Sequence, residues 1–257
     1  MNLPTVQSAS LAALPNIAHL FTTRNGGISQ NEYASLNCSR FSGDLPFRVH
    51  ENHGRIIKAM GSQRLISLKQ VHGKMVFAVD RTWTGREKVE GDGMVTTDPG
   101  VALAVMVADC APVLFADSRN RVIGAAHAGW RGALSGITDN VIEEMCAQGA
   151  ERGLITAAIG PAIQQASYEV GQEFMTRFVA SDGCRCRQFF HVEEESIYFD
   201  LPGYIAGRLA EQGISHIDCL PHDTYSMEQE FFSYRRNCKR GEINYGRQTG
   251  TISLIGG

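Results

Sequence analysis

Three residues of this sequence carry side chains that together can bind a metal ion: His72, Cys110 and His127. Each stands where an apolar, strand-like run gives way to a turn, in the segments LISLKQVHG, ALAVMVADCAPV and VIGAAHAGWRG. Three protein ligands leave the fourth tetrahedral position of zinc open, as in catalytic sites. Zinc bound in this way makes water a nucleophile near neutral pH. The pattern predicts a catalytic zinc site, with copper as the alternative ion because a His₂Cys set also suits copper.

The context of these residues supports the metal site more than their spacing does. The separations of 38 and 17 residues resemble neither a zinc finger nor the HExxH helix. His127 lies close to Gly129, where the backbone can approach a neighbour without a side chain in the way. Asp109 is an acid at the end of an apolar run, and a buried carboxylate must be paired. We therefore expect Asp109 to take part in catalysis by orienting His72 or His127.

Two other interpretations fit the same residues. Cys110 can be a nucleophile with His127 as its base, since nucleophilic and metal-binding cysteines both require a thiolate beside an imidazole. A buried cysteine can also serve as a small hydrophobic residue, with the histidines satisfied by hydrogen bonds. The residue pattern leaves these alternatives open.

Arginines form a second set of candidates. Arg24 lies in the turn-rich stretch FTTRNGGIS, Arg131 follows His127 at the start of a predicted helix, and Arg235 ends the aromatic run FFSYR. Guanidinium groups and helix N-termini both suit phosphate or carboxylate, although surface ion pairs explain single arginines equally well. The sequence contains no phosphate-binding loop, no dinucleotide fingerprint and no nucleobase-deaminase signature.

Composition excludes several classes of function. A formal net charge of −3 argues against a nucleic-acid partner. The longest apolar stretch, Val101 to Ala116, is too short to span a bilayer and contains two polar residues. An odd number of cysteines, seven, and an N-terminal segment without a basic start favour reduced thiols and a cytoplasmic location. The pattern does not determine an oligomeric state.

Hydrophobic periodicity predicts a single mixed α/β domain over residues 1–257. Strands are expected at Arg64–Val71, Met75–Val79, Val101–Val107, Val113–Ala116, Val122–Ala126, Leu154–Ile159 and within Glu242–Ile255. Helices are expected after Gly132 up to Gly149, around Val170–Phe178, and from Asp200 to Gly213. The polar turn at residues 117–120 predicts a hairpin.

The motifs together resemble the YfiH-like family, whose members carry the names multicopper polyphenol oxidase (laccase-like), peptidoglycan editing factor and purine nucleoside phosphorylase. The matching segments keep their order along nearly the whole chain: FTTRNGGIS and YASLN, KQVHG, EGDGMVT, VADCAPV, AHAGWRG, IGPAI and SYEVG, and FFSYRR. The combination of QVHG, ADC-x-P and AHAGWRG is highly specific.

The resemblance implies a layered α-β-β-α sandwich like that of a toxin deamidase, with Cys110 and His127 at the positions of its Cys–His pair. It implies zinc bound by His72, Cys110 and His127. The substrate-binding residues that it suggests are Arg24, Asn37, Gln70, Arg131 and Arg235.

The resemblance also implies a function. We expect a zinc-dependent enzyme that cleaves purine nucleosides with phosphate, deaminates adenosine and phosphorolyses methylthioadenosine. The alternative is a cytosolic amidase that edits a UDP-muramoyl-amino acid precursor. A copper polyphenol oxidase is disfavoured, because a multicopper site needs a trinuclear cluster and this chain has eight histidines and no H-x-H pair. A non-enzymatic zinc module needs a fourth protein ligand.

Overall fold

The computed structural model describes residues 3–84 and 89–256. Its strands are β1 (Thr5–Val6), β2 (Ile17–Thr22), β3 (Arg64–Ile66), β4 (Val76–Ala78), β5 (Gly93–Thr96), β6 (Val101–Val107), β7 (Ala111–Asp117), β8 (Val122–Ala128), β9 (Thr156–Ile159), β10 (Glu169–Val170), β11 (Phe190–Glu193), β12 (Ser196–Phe199), β13 (His216–Cys219) and β14 (Gln248–Leu254). Its α-helices are α1 (Ala9–Ala12), α2 (Pro46–Met60), α3 (Trp130–Ser135), α4 (Ile137–Ala147), α5 (Gln172–Asp182), α6 (Leu201–Glu211) and α7 (Tyr234–Lys239).

The longer strands form two mixed sheets. One has five strands in the order β1-β2-β14-β6-β3, and the other has six in the order β13-β9-β7-β8-β5-β4. A third sheet, β10-β12-β11, has three short strands. The parallel pairs (β3 with β6, β4 with β5, β13 with β9) lie at sheet edges and the other pairs are antiparallel, so neither large sheet is a simple βαβ ladder.

The two large sheets pack face to face, with helices outside. Leu103 of β6 and Ile252 of β14 share one apolar core with Leu114 of β7. Ile56 of α2 packs on the outer face of the five-stranded sheet. Helices α4 and α6 cover the outer face of the six-stranded sheet, where Val141 packs in the same core as β7 residues. This layering confirms the predicted α-β-β-α sandwich.

The apolar patterns explain the central strands. All seven residues of β6 are buried, as a continuous apolar run predicts for a strand covered on both faces. Strands β7 and β8 form the predicted antiparallel hairpin, paired from Ala111 opposite Ala128 to Asp117 opposite Val122.

Two predicted elements differ in the structure. The single long helix after Gly132 is two helices, because Gly136 between α3 and α4 adopts a φ of 90°, which interrupts the helical path. The strands predicted at Arg64–Val71 and Met75–Val79 are shorter, because the chain between β3 in the five-stranded sheet and β4 in the six-stranded sheet passes from one sheet to the other. No α-helix within the described ranges is long and apolar enough to cross a membrane.

Two of the chain connections that pass from one large sheet to the other carry the candidate ligands. The β3–β4 connection carries His72, and the β6–β7 turn carries Asp109 and Cys110. His127 lies on β8, opposite Pro112 of the adjoining β7. This topology brings residues that are far apart in sequence to one edge of the sandwich.

Candidate metal centre

The structure brings His72, Cys110 and His127 together. The ligand atoms of the three side chains all lie within 4.8 Å of one another. Cys110 Sγ is 3.8 Å from His72 Nε2, and the two imidazole rings have centroids 4.8 Å apart at an angle of 73°. Among the residues that the structure describes, this is the one group of three or more His, Cys, Asp or Glu side chains arranged to hold an ion.

Two residues at this edge have an unusual backbone conformation. His72 has a φ of 60° and Asp109 a φ of 80°, in the left-handed region that residues other than glycine seldom adopt. Such conformations cost on the order of 1–3 kcal/mol and persist only where the surroundings impose them. At Asp109, the carbonyl accepts a hydrogen bond of 3.0 Å from the Ile163 amide. A neighbouring segment thus stabilises the unusual backbone conformation at Asp109.

Asp92 accepts hydrogen bonds from two of the candidate ligand residues, His72 and His127. Its Oδ1 accepts hydrogen bonds from His127 Nδ1 at 2.7 Å and from the His72 amide at 3.0 Å. Its Oδ2 accepts from the amides of Gly73 at 2.7 Å and Val71 at 3.2 Å. Because Nδ1 of His127 is engaged by a carboxylate, its Nε2 is the ring atom available to a metal ion.

Asp109 does not orient an imidazole, so that prediction is wrong. Its carboxylate accepts hydrogen bonds from Thr224 Oγ1 at 2.7 Å, Ser233 Oγ at 3.0 Å and the Arg235 amide at 2.6 Å. The orienting role falls to Asp92, which sequence reasoning quoted only within a motif. The signal that could have found it is the one used for Asp109: an acid directly beside a buried strand, here β5.

In the absence of a metal ion, Cys110 and His127 carry opposite charges over part of the pH range. Burial raises the pKa of the Cys110 thiol, but the positive charge and hydrogen bond of His127, together with His72, outweigh burial and lower that pKa to about 6. Burial lowers the pKa of His127, but the Cys110 thiolate and Asp92 raise it to about 9. Between these pH values Cys110 is a thiolate and His127 an imidazolium.

This pair predicts how many protons an ion displaces. At about pH 8, the side chains are expected to release one proton when zinc binds, which comes from His127, because Cys110 is already ionised. A zinc-bound water would add one more at this pH. Above pH 9 the proton from His127 should no longer be released, and below pH 6 the thiol should release its proton too. Titration calorimetry in buffers of different ionisation enthalpy measures this number, and a release that stays constant between about pH 8 and about pH 10 would contradict a protonated His127.

Gly129 makes room for the ligands. A Cβ at this position would lie 2.9 Å from both Cys110 Sγ and His72 Cδ2. Gly129→Ala is therefore expected to push the ligands apart and to lower activity about a hundredfold, as misplacement by about 1 Å does. Metal content and turnover measure the effect, with Gly153→Ala as control because its Cβ would meet nothing within 4 Å. Equal metal content in both variants would contradict the crowding argument.

A cavity of about 560 Å³ opens above the three ligands. This volume is in the range of small-molecule sites. Aromatic side chains form much of its wall: Phe41, Trp130, Tyr168, Tyr234 and Tyr245. Flat apolar rings beside a polar floor suit a ligand with a planar, partly apolar portion.

Two of the predicted arginines line this cavity. The Arg131 guanidinium stacks 4.6 Å from the Trp130 ring centroid, and that of Arg235 lies 5.2 Å from the Tyr168 centroid. Stacking holds a guanidinium in place while leaving its positive charge available. Among the described residues, neither arginine forms a salt bridge with a carboxylate.

Arg247 also lines the cavity and was not predicted. It stacks 4.6 Å from the Tyr245 ring and donates to the Tyr245 hydroxyl at 2.9 Å and to Ser39 Oγ at 3.0 Å. The predicted Asn37 is buried and does not reach the cavity surface. Its Oδ1 instead accepts hydrogen bonds from the amides of Ser39 and Arg247, so Asn37 positions this part of the wall.

Gln70 and Arg24 have different surroundings from those expected. Gln70 lines the cavity, but its amide group pairs with the backbone of Met106 through two bonds of 2.7 Å. Arg24 is not among the residues that line the cavity: it donates to the carbonyls of Ala34 and Glu228 and stacks 4.6 Å from Phe232. Arg24 thus joins two loops, contrary to the role predicted for it.

Comparison with known proteins assigns the family. The family model described as multi-copper polyphenol oxidoreductase laccase matches residues 18–255. The chain belongs to this family. The resemblance predicted from the motifs is therefore confirmed. The several copper ions that this description implies would need more ligands than the one three-residue group found in the described ranges.

Named relatives and a solved structure match this chain over most or all of its length. The chain is 38% identical over 239 residues to a Deinococcus radiodurans protein named purine nucleoside phosphorylase, covering 91% of this chain and 90% of that protein. It is 35% identical to Escherichia coli YfiH, also named purine nucleoside phosphorylase, with coverage of 88% and 91%. The crystal structure of Neisseria meningitidis protein NMB0706 superposes with a TM-score of 0.85 at 32% identity over 100% of both chains.

Proposed function

We propose that this protein is a zinc-dependent purine nucleoside phosphorylase. The observation that carries the proposal is one cavity with a His-Cys-His group at its floor and, in its wall, Arg131 and Arg235, for which the described residues provide no carboxylate partner. The names of several relatives, at 31–38% identity, support the same activity. All seven cysteines are free thiols, which fits the reducing cytoplasm that we propose as its location.

The residues at the floor fit zinc. One thiolate and two imidazoles are zinc donors, and Asp92 behind His127 is the carboxylate partner that metal-binding histidines usually have. Three protein ligands leave one position for a reactant. When bound, zinc would supply a Lewis acid and lower the pKa of water. Copper can occupy the same donors, since copper(II) generally binds more tightly than zinc to a given site.

The residues of the wall would bind the two reactants. Arg131 and Arg235 would bind phosphate, and the rings of Tyr234 and Tyr245 would stack on the purine. In phosphorolysis a phosphate oxygen forms a bond to the anomeric carbon of ribose while the glycosidic bond breaks. The bonding electron pair goes to the purine nitrogen, which then takes up a proton. The chain's contribution is to hold the two reactants together and to stabilise the phosphate's charge.

The test is a product assay on the purified protein. With inosine and phosphate we expect ribose 1-phosphate and free base, and with methylthioadenosine and phosphate the corresponding thiosugar phosphate. With adenosine and water we expect inosine and ammonia. Chelation should stop these reactions and zinc should restore them more fully than copper. Absence of phosphate-dependent release of base from any purine nucleoside would reject the proposal.

One observation favours a second candidate, an amidase acting on a nucleotide-linked muramoyl-amino acid. In a cysteine hydrolase, the Cys110 thiolate would be the nucleophile, the His127 imidazolium the proton donor to the leaving group, and Asp92 the carboxylate that orients His127. The thiolate would add to the amide carbonyl, the free amino acid would leave with a proton from His127, and water would then hydrolyse the thioester and restore the thiolate. Release of amino acid from the precursor, with no base released from nucleosides, would select this candidate.

A further inference from the structure

Asp109 joins the metal-ligand turn to the opposite wall of the cavity. Its carboxylate is buried, and all the hydrogen bonds found for it come from the segment 224–235: Thr224 Oγ1, Ser233 Oγ and the Arg235 amide. It directly precedes Cys110 in the chain. A single side chain thus fixes where residues 233–235 stand relative to the thiolate.

The segment that Asp109 holds carries cavity residues. The Arg235 amide is bonded to Asp109 at 2.6 Å, and the same residue's guanidinium donates to the Glu169 carbonyl at 2.7 Å and stacks on Tyr168. Arg235 is therefore fixed at its backbone and at its tip. Next to it, Tyr234 packs against Tyr245 with centroids 5.2 Å apart.

Arg236 supports this segment from the residue that follows it. It is buried, its positive charge favours the carboxylate form of Asp109 although burial outweighs it and raises the Asp109 pKa, and it donates to the carbonyls of Thr224, Tyr225 and Phe231. Its amide also donates to Ser233 Oγ, whose hydroxyl donates in turn to Asp109. An asparagine here would replace one acceptor oxygen by an NH₂ group that faces at least one of the three donors, so the segment would have to shift.

We propose that Asp109 is a positioning residue that sets the anion-binding Arg235 at a fixed distance from Cys110. The two acids at the site then have different roles: Asp92 positions the metal ligands, and Asp109 positions the part of the wall that binds phosphate. The inference rests on the proposed function only for its kinetic readout, because binding of inorganic phosphate can be measured without turnover.

The experiment compares Asp109→Asn, Thr224→Val and Asp92→Asn in the full-length protein. Thr224→Val removes one donor to Asp109 and keeps the other two, so it tests the idea even if Asp109→Asn does not fold. Zinc content, alkylation rate of Cys110 and the dissociation constant for inorganic phosphate are measured for each. We expect Asp109→Asn to keep zinc and Cys110 reactivity while weakening phosphate binding about tenfold or more, with Thr224→Val shifted less in the same direction. We expect Asp92→Asn to lose zinc first.

Kinetics and a double variant complete the test. If the protein is a phosphorylase, Asp109→Asn should raise KM for phosphate more than it lowers kcat. Arg235→Lys should weaken phosphate binding too, and adding Asp109→Asn to it should cost little more, because both changes act through one guanidinium.

Four results would overturn the inference: unchanged phosphate affinity in both Asp109→Asn and Thr224→Val, loss of zinc from Asp109→Asn in step with phosphate, fully additive effects in the double variant, or no phosphate binding by the unaltered protein. A protein that binds phosphate through Arg235 but cleaves no nucleoside would reject the proposed function and leave this inference standing.

Discussion

Replacing Cys110 with alanine is expected to remove the bound metal ion and to lower nucleoside phosphorolysis on the order of 10³-fold or more. Cys110 Sγ is the single anionic donor of the group, and it lies 3.8 Å from His72 Nε2. Without it, two neutral imidazoles remain, which is too few ligands for stable zinc binding. Metal analysis of the purified variant and initial rates with inosine and phosphate measure the two losses.

The matched control for this variant is Cys219→Ala, since Cys219 is an exposed thiol on β13. It should retain both metal and activity. Retained phosphorolysis in a metal-free Cys110→Ala protein would refute metal dependence. A Cys110→Ala protein that keeps its metal but loses turnover would instead assign Cys110 the part of nucleophile.

Asp92→Asn is expected to lower metal affinity about 10–100-fold, the usual effect of losing the partner of a metal-binding histidine. Each oxygen of the Asp92 carboxylate accepts two hydrogen bonds. In whichever orientation the asparagine side chain lies, its NH₂ group therefore faces two N–H donors. If the NH₂ faces His127 Nδ1, the imidazole must carry its proton on Nε2, which is the atom needed by the metal. Leaving buried donors unpaired should also lower the free energy of unfolding by about 1–3 kcal/mol.

Zinc titration and chemical denaturation of the metal-free protein separate these two effects. Asp98→Asn is the control, because Asp98 lies beside the other end of β5 and bonds to the exposed Arg81 and to the Gly100 amide, away from the ligands. It should leave zinc affinity unchanged. Equal zinc affinities for Asp92→Asn and the unaltered protein would show that Asp92 does not orient His127.

The sequence predicted what depends on local pattern. The continuous apolar run of β6 and the hairpin β7–β8 were recognised because burial on both faces leaves few polar residues to interrupt a strand. The ligand group was recognised because a thiol and two imidazoles at the ends of such strands are chemically conspicuous. The helix break at Gly136 was missed because the apolar stripe continues across it, while the positive φ has no signature in periodicity.

What depends on packing between distant segments could not be predicted. Arg24 stands in a glycine-rich turn that resembles an anion-binding loop, yet its partner Glu228 lies some two hundred residues away in the chain. Arg247 of the cavity wall is held at its amide by Asn37, which lies 210 residues earlier in the chain. Asp92 and Asp109 show the same signal, an acid beside a buried strand, and their opposite roles follow from which segments surround them.

His72 and Cys110 lie on two of the connections that cross between the large sheets, so an ion bound by both would also link the two sheets at one edge of the sandwich. Such an ion would raise the free energy of unfolding by RT ln(1 + [ion]/Kd). The three ligands come within reach of one ion only after the two sheets have packed together. Loading therefore belongs after folding, and a chain produced without metal should accept its ion later without being unfolded first.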